Sequence, residues 1–169
     1  MQKVRIFRAC GWRALFLLLA VLLAGVIFYM SSEPASESGE RSTTIAAEIL
    51  PIVHPGFETL SPAEQEVVLS SADHILRKTA HFCVYGALGA LLLLYSLCFA
   101  AKPPAHILRA LLAVAVYAAS DEIHQAFVPG RGPAVTDVLL DSTGALCGIL
   151  LVWLIAWAVY RRKNNSCNK

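Results

Sequence analysis

The sequence predicts an all-α, polytopic membrane protein: four transmembrane helices with one helical extracytoplasmic loop. Three observations predict it. The 169 residues are 57% hydrophobic and only 15% charged, against about a quarter charged in an average soluble domain. The apolar residues gather into four runs, each near the ~20 residues a bilayer requires. Threading those runs through a membrane sends most of the Lys and Arg to one side.

Residues 1–13 form a basic leader with Lys3, Arg5, Arg8 and Arg13. The uncharged run 14–30 reads as the first span, with Trp12 and Tyr29 as interfacial anchors. It is longer than a signal-peptide core, and Tyr29-Met30-Ser31 lacks the small residues of a cleavage site. Residues 31–41 read as a Ser/Glu-rich linker, with Glu33, Glu37 and Glu40 as a solvated tether. Residues 43–50 read as a short helix with an apolar face of Ile45, Ala46, Ile49 and Leu50, broken by the Pro51 to Gly56 segment. Ser61-Pro62-Ala63-Glu64 reads as a helix start: Ser as N-cap, Pro in the first turn, Glu reaching back. The outer loop, 31–79, is too polar to span.

The second span runs over about 80–101, where Gly86 and Gly89 permit close helix contact. Lys102-Pro103-Pro104 makes a turn, the third span covers 106–128, and Pro129 to Pro133 make a second turn. Thr136 or Asp137 caps the fourth span, 138–160, and a basic tail fills 161–169. The membrane domain is thus 14–160.

With both termini on one side, that side holds Lys3, Arg5, Arg8, Arg13, Lys102, Arg109, Arg161, Arg162, Lys163 and Lys169. The other side holds Arg41, Arg77, Lys78 and Arg131, which completes the 14. The positive-inside rule then puts both termini in the cytoplasm of a multi-pass cell-membrane protein, and loop 31–79 outside.

This topology brings three separate clusters to the outer face. Arg77, Lys78 and His81 open the second span. Asp121, Glu122, His124 and Gln125 close the third, with Arg131 on the turn beyond. Asp137 and Asp141 open the fourth. Arg77 and His81 share a helix face, as do Asp121, His124 and Gln125, with Tyr85 and Tyr117 continuing those faces inward. Glu122 is turned about 100° from Asp121. Asp137 and Asp141 sit above Gly144 and Gly148. Ionisable residues in a span are expensive and read as functional. Asp121 lies seven residues before Val128 and needs a partner, with Arg77, Lys78, His81 and Arg131 as the available cations. Solvation accounts for His54, His74 and His106. The five cysteines, Cys10, Cys83, Cys98, Cys147 and Cys167, show no CxxC or zinc spacing and read as free thiols. No phosphate loop, repeat or nucleic-acid motif appears.

These residues resemble the VanZ-like family, small membrane proteins named for a teicoplanin-resistance protein. The resemblance rests on Phe28-Tyr29-Met30-Ser31-Ser32, on Arg77-Lys78-Thr79-Ala80-His81-Phe82-Cys83-Val84-Tyr85, on Ser120-Asp121-Glu122-Ile123-His124-Gln125-Ala126-Phe127-Val128-Pro129-Gly130-Arg131, and on Asp137-Val138-Leu139-Leu140-Asp141-Ser142-Thr143-Gly144. It implies a link to reduced susceptibility to teicoplanin-type glycopeptides, which act on lipid-linked wall precursors at the outer membrane face. It implies no particular reaction.

Three functions fit. In the first, an outer-face pocket recognises an anionic cell-envelope amphiphile, a membrane lipid or lipid-linked cell-wall precursor, or a lipoglycopeptide. Arg77, Lys78 and Arg131 hold the anion, while Gln125, Asp137 and Asp141 orient those bases or bind sugar and amide groups. In the second, the site is an enzyme modifying such a precursor, with His81, Asp121, Glu122 and His124 in general acid–base roles. A divalent cation on those acids and histidines is a variant of it, although no metal-binding motif supports one. The third is an ion-pair-locked partner of cell-wall machinery. The residues leave any cofactor open, and no nucleic-acid partner is indicated.

Overall fold

The computed structural model describes residues 10–167, so the reading of Lys3, Arg5, Arg8 and Lys169 lies outside the described residues. The described residues form five α-helices: α1 (Cys10–Ser31), α2 (Ala35–Val53), α3 (Pro62–Leu97), α4 (Pro103–Gln125) and α5 (Val135–Cys167). A 3-10 turn, Phe57–Thr59, lies between α2 and α3. Among the described residues no strand occurs, and α1, α3, α4 and α5 are long and apolar enough to cross a membrane. The protein is a multi-pass membrane protein.

Helix α3 is the axis of the bundle and packs against α1, α2, α4 and α5. It starts at a complete capping box: the Ser61 side chain accepts from Glu64 N–H, and Glu64 accepts from Ser61 N–H. It then runs unbroken for 36 residues, about 54 Å. This corrects the expectation of a loop helix followed by a separate span at 80–101. The polar stretch Asp73 to Lys78 marks a change of surroundings, and nothing in it stops a helix.

Other boundaries also move. Residues 35–41, read as linker, are helical, and α2 carries Pro51 in its last turn before ending at Val53. Helix α4 begins directly at Pro103 and ends at Gln125, three residues before the expected end. That leaves Asp121 one turn, about 6 Å, from the helix end. Helix α5 starts at Val135, so neither Thr136 nor Asp137 is its cap.

Packing is tightest between α3 and α5. A Cβ on Gly89 would lie 2.7 Å from the Ala145 carbonyl oxygen, and one on Gly144 would strike the Phe82 carbonyl. Four glycines on facing stripes therefore let the two backbones meet. Around this crossing lie Tyr85, Leu88, Val114, Ala118 and Ala145, all buried. Leu18, Val21, Leu22, Val116 and Leu151 face outward, as lipid-facing residues do.

The end of the bundle near Leu97 and Pro103 has its own polar lock. Ser96 Oγ and His106 Nδ1 are 2.9 Å apart, and His106 is buried, contrary to the solvated histidine expected there. Arg13 donates to the Cys98 carbonyl at 3.1 Å and lies over the Phe99 ring. Cys98 is buried, and burial pushes its thiol pKa up. Cys83 and Cys147 are free and exposed on the helix surfaces.

Candidate functional site

The opposite end of the bundle is where α1 and α4 stop, α5 starts and α2 lies alongside α3. Two short joints fix it. Ala35 N–H donates to the Pro129 carbonyl, and Gly130 takes a positive φ of 75° where its turn passes Ala35. The joint between α1 and α2 is thereby tied to the turn between α4 and α5.

Asp121 gathers side chains from three helices there. Its Oδ2 accepts from Ser31 Oγ at 2.8 Å, Tyr85 Oη at 3.1 Å and Gln125 Nε2 at 3.1 Å. Gln125 also donates to Ser31 Oγ at 3.3 Å. Three neutral donors from α1, α3 and α4 meet this carboxylate, where a cation was expected. Its Oδ1 is buried with no hydrogen-bond partner.

The expected cations go elsewhere. Arg77 pairs with Asp73 at 2.8 Å, and Asp73 also accepts from Ser42 of α2. Lys78 pairs with Asp137. His81 Nδ1 lies 3.7 Å from Asp141 Oδ2, and its ring stacks along Tyr85 at 6.2 Å. Glu33, read as part of a solvated tether, is buried and pairs with Arg41 at 2.9 Å, which raises the guanidinium's pKa. Arg131 donates to the Met30 carbonyl at 3.2 Å. Burial pulls its guanidinium below the ordinary arginine value.

These groups surround a cavity of about 480 Å³, within the usual size range of small-molecule sites. Arg77, Lys78, His81, Arg131, Asp137 and Asp141 line it, together with Gln125. Val26, Ile27, Val84 and Leu140 give it an apolar wall. Asp121 stands one layer behind, reached through Ser31, Tyr85 and Gln125.

Two expected site residues point elsewhere. Glu122 is buried and accepts from Ala134 N–H at 2.9 Å, anchoring the start of α5. His124 Nε2 is 3.1 Å from Ser32 Oγ, and its ring stacks on Phe28 with centroids 4.5 Å apart. Neither lines the cavity. The residues missed in the sequence are Ser31, Ser42, Asp73 and Arg41. Asp73 alone carried a local signal, its four-residue spacing from Arg77.

A model of the VanZ/LLP1 family matches residues 16–156. The chain belongs to the VanZ/LLP1 family. The matched residues of this VanZ/LLP1 protein include the whole of the cavity lining. No curated protein and no solved structure matches the chain. Among the described residues of the VanZ/LLP1 domain, no three His, Cys, Asp or Glu side chains converge as metal ligands would.

Proposed function

We propose that this VanZ/LLP1 protein recognises an anionic cell-envelope amphiphile in the cavity. The amphiphile is a lipid-phosphate wall precursor or a lipoglycopeptide, and the recognition underlies a link to teicoplanin-type resistance. In this reading the cavity opens at the outer face of the cell membrane and both termini are cytoplasmic, as the distribution of Lys and Arg supports.

One observation carries the reading. Among the described Arg and Lys residues lining the cavity, Arg41, Arg77 and Lys78 each have a carboxylate within 4.0 Å and Arg131 has none. A half-buried guanidinium without a counter-ion is set to receive an anion, and its fork suits a phosphate or carboxylate. The apolar wall beside it suits a hydrocarbon chain. The test is binding of a polyprenyl phosphate to the full chain in detergent. Binding weakens as salt rises, and Arg131→Ala abolishes it. Equal binding by wild type and Arg131→Ala sinks the reading.

A second reading, an enzyme acting on a lipid-linked precursor, draws on His81 and Asp141. The imidazole lines the cavity with a buried carboxylate 3.7 Å from its Nδ1, and closing that gap to hydrogen-bond reach would orient it as a general base. Its test is turnover of a labelled precursor by wild type and His81→Gln. Absence of product from a panel of wall precursors removes it.

A further inference from the structure

We propose that the same cavity takes a primary ammonium group at Asp141, so that its amphiphile carries both phosphate and amine. This rests on the anion reading for Arg131 and narrows the ligand class within it.

Most of the carboxylates at this end are satisfied. Glu33, Asp73 and Asp137 each hold an Arg or Lys. Glu122 holds a backbone N–H. Asp121 accepts three neutral donors on one oxygen. Asp141 is different. It is 1% exposed, lines the cavity, and neither of its oxygens has a hydrogen-bond partner. His81 Nδ1 at 3.7 Å faces only Oδ2 and stands beyond hydrogen-bonding distance. A buried carboxylate left in this state is costly, and a donor in the cavity relieves it.

The donor has to fit the surroundings. His81 on α3 faces Asp141, Tyr85 stacks along the His81 ring, and Asp121 is bonded behind Tyr85. The floor is thus acid-rich, while Arg131, which alone among the described Arg and Lys of the lining has no carboxylate within 4.0 Å, is on the turn between α4 and α5. A simple anion would satisfy Arg131 and leave Asp141 bare. A zwitterionic aminophosphate satisfies both at once: phosphate on the guanidinium, –NH₃⁺ on the carboxylate. The N–H donors of an ammonium match the two unpartnered oxygens of Asp141.

The experiment uses the full chain in detergent and native mass spectrometry. The probes are phosphatidylethanolamine and its N-acetyl derivative, which keeps the phosphate and loses the ammonium. Wild type binds the free amine roughly tenfold more tightly, the worth of one charge-assisted hydrogen bond. Asp141→Asn binds both lipids alike, at the level of the acetylated one. Arg131→Ala weakens both. The wild-type comparison needs no variant, so a misfolded Asp141→Asn leaves the proposal testable. Equal affinity of wild type for the two lipids overturns it, as does a preference that survives in Asp141→Asn. That result coupled with loss of binding in Arg131→Ala leaves the anion reading standing; indifference to Arg131→Ala ends both. Water-soluble phosphoethanolamine that displaces the lipid supports a headgroup source. Discrimination without such displacement supports a ligand whose chain must also occupy the apolar wall.

Discussion

Gly148 of α5 rests against the backbone of Gly86 in α3: a Cβ added to Gly148 would run into the Gly86 carbonyl and come within 3.1 Å of its Cα. Backbone cannot swing aside as a flexible side chain can. Gly148→Val therefore forces the helices apart and costs about 3 kcal/mol or more. Thermal unfolding in detergent reads this directly. Gly25, with nothing within 4 Å of a built Cβ, is the control. Gly25→Ala leaves the midpoint unchanged or raises stability by up to about 1 kcal/mol. Equal effects at the two positions would refute the close-packed crossing.

The hairpin of α2 and the first half of α3 is fastened by one buried acid. Asp73 accepts from Ser42 across the pair and from Arg77 on its own helix. Asp73→Ala is expected to cost about 1–3 kcal/mol, because it strips the Ser42 hydroxyl of its cross-helix acceptor. The loss is local. Protease cleavage within α2 speeds up while the unfolding midpoint of the spans holds. Unchanged cleavage would show that the apolar contacts of Ala46 and Leu50 suffice.

Lys78 and Asp137 join α3 to α5 at the cavity edge, with side chains 34% and 31% exposed. Such a pair contributes about 0.2–1 kcal/mol. Lys78→Asp or Asp137→Lys alone destabilises by like-charge contact, and the double reversal recovers most of it. A double-mutant cycle measures the coupling. Recovery of fold without recovery of lipid binding assigns the pair's polarity to the ligand; recovery of both assigns it to the bundle.

Orientation is checked by thiol labelling in intact cells. Ser36→Cys and Glu66→Cys in the hairpin react with a membrane-impermeant maleimide, and Lys102→Cys reacts only after permeabilisation. The reverse pattern would turn the cavity to the cytoplasm and remove the outer-face reading.

The sequence made the spans legible because one property, side-chain transfer into lipid, decides them. It also placed the Gly86/Gly89 and Gly144/Gly148 stripes, since small residues at helical spacing have one use at a crossing. Helix ends were less legible: polarity at Asp73 to Lys78 looked like a boundary, and α3 passes through it. The cavity lining at Arg77, Lys78, His81, Arg131 and Asp141 followed from topology. The bonding of Asp121 did not. Its donors Ser31 and Tyr85 stand 90 and 36 residues away along the chain, and no local pattern encodes such a meeting. Glu122 and His124 went astray for the opposite reason. They stand in a dense motif with Gln125, which lines the cavity, yet Glu122 is turned about 100° from Asp121 and His124 about 100° from Gln125, and neither reaches the lining.

The unbroken length of α3 has a mechanical meaning. From the Gly86 contact to Pro62 is 24 residues, about 36 Å, whereas His81 stands five residues, about 7.5 Å, from the same contact. The close backbone contact with α5 also reaches Phe82, the residue after His81. The imidazole therefore stands at the clamped part of the rod, and the floor of the cavity is set where α3 is held most firmly.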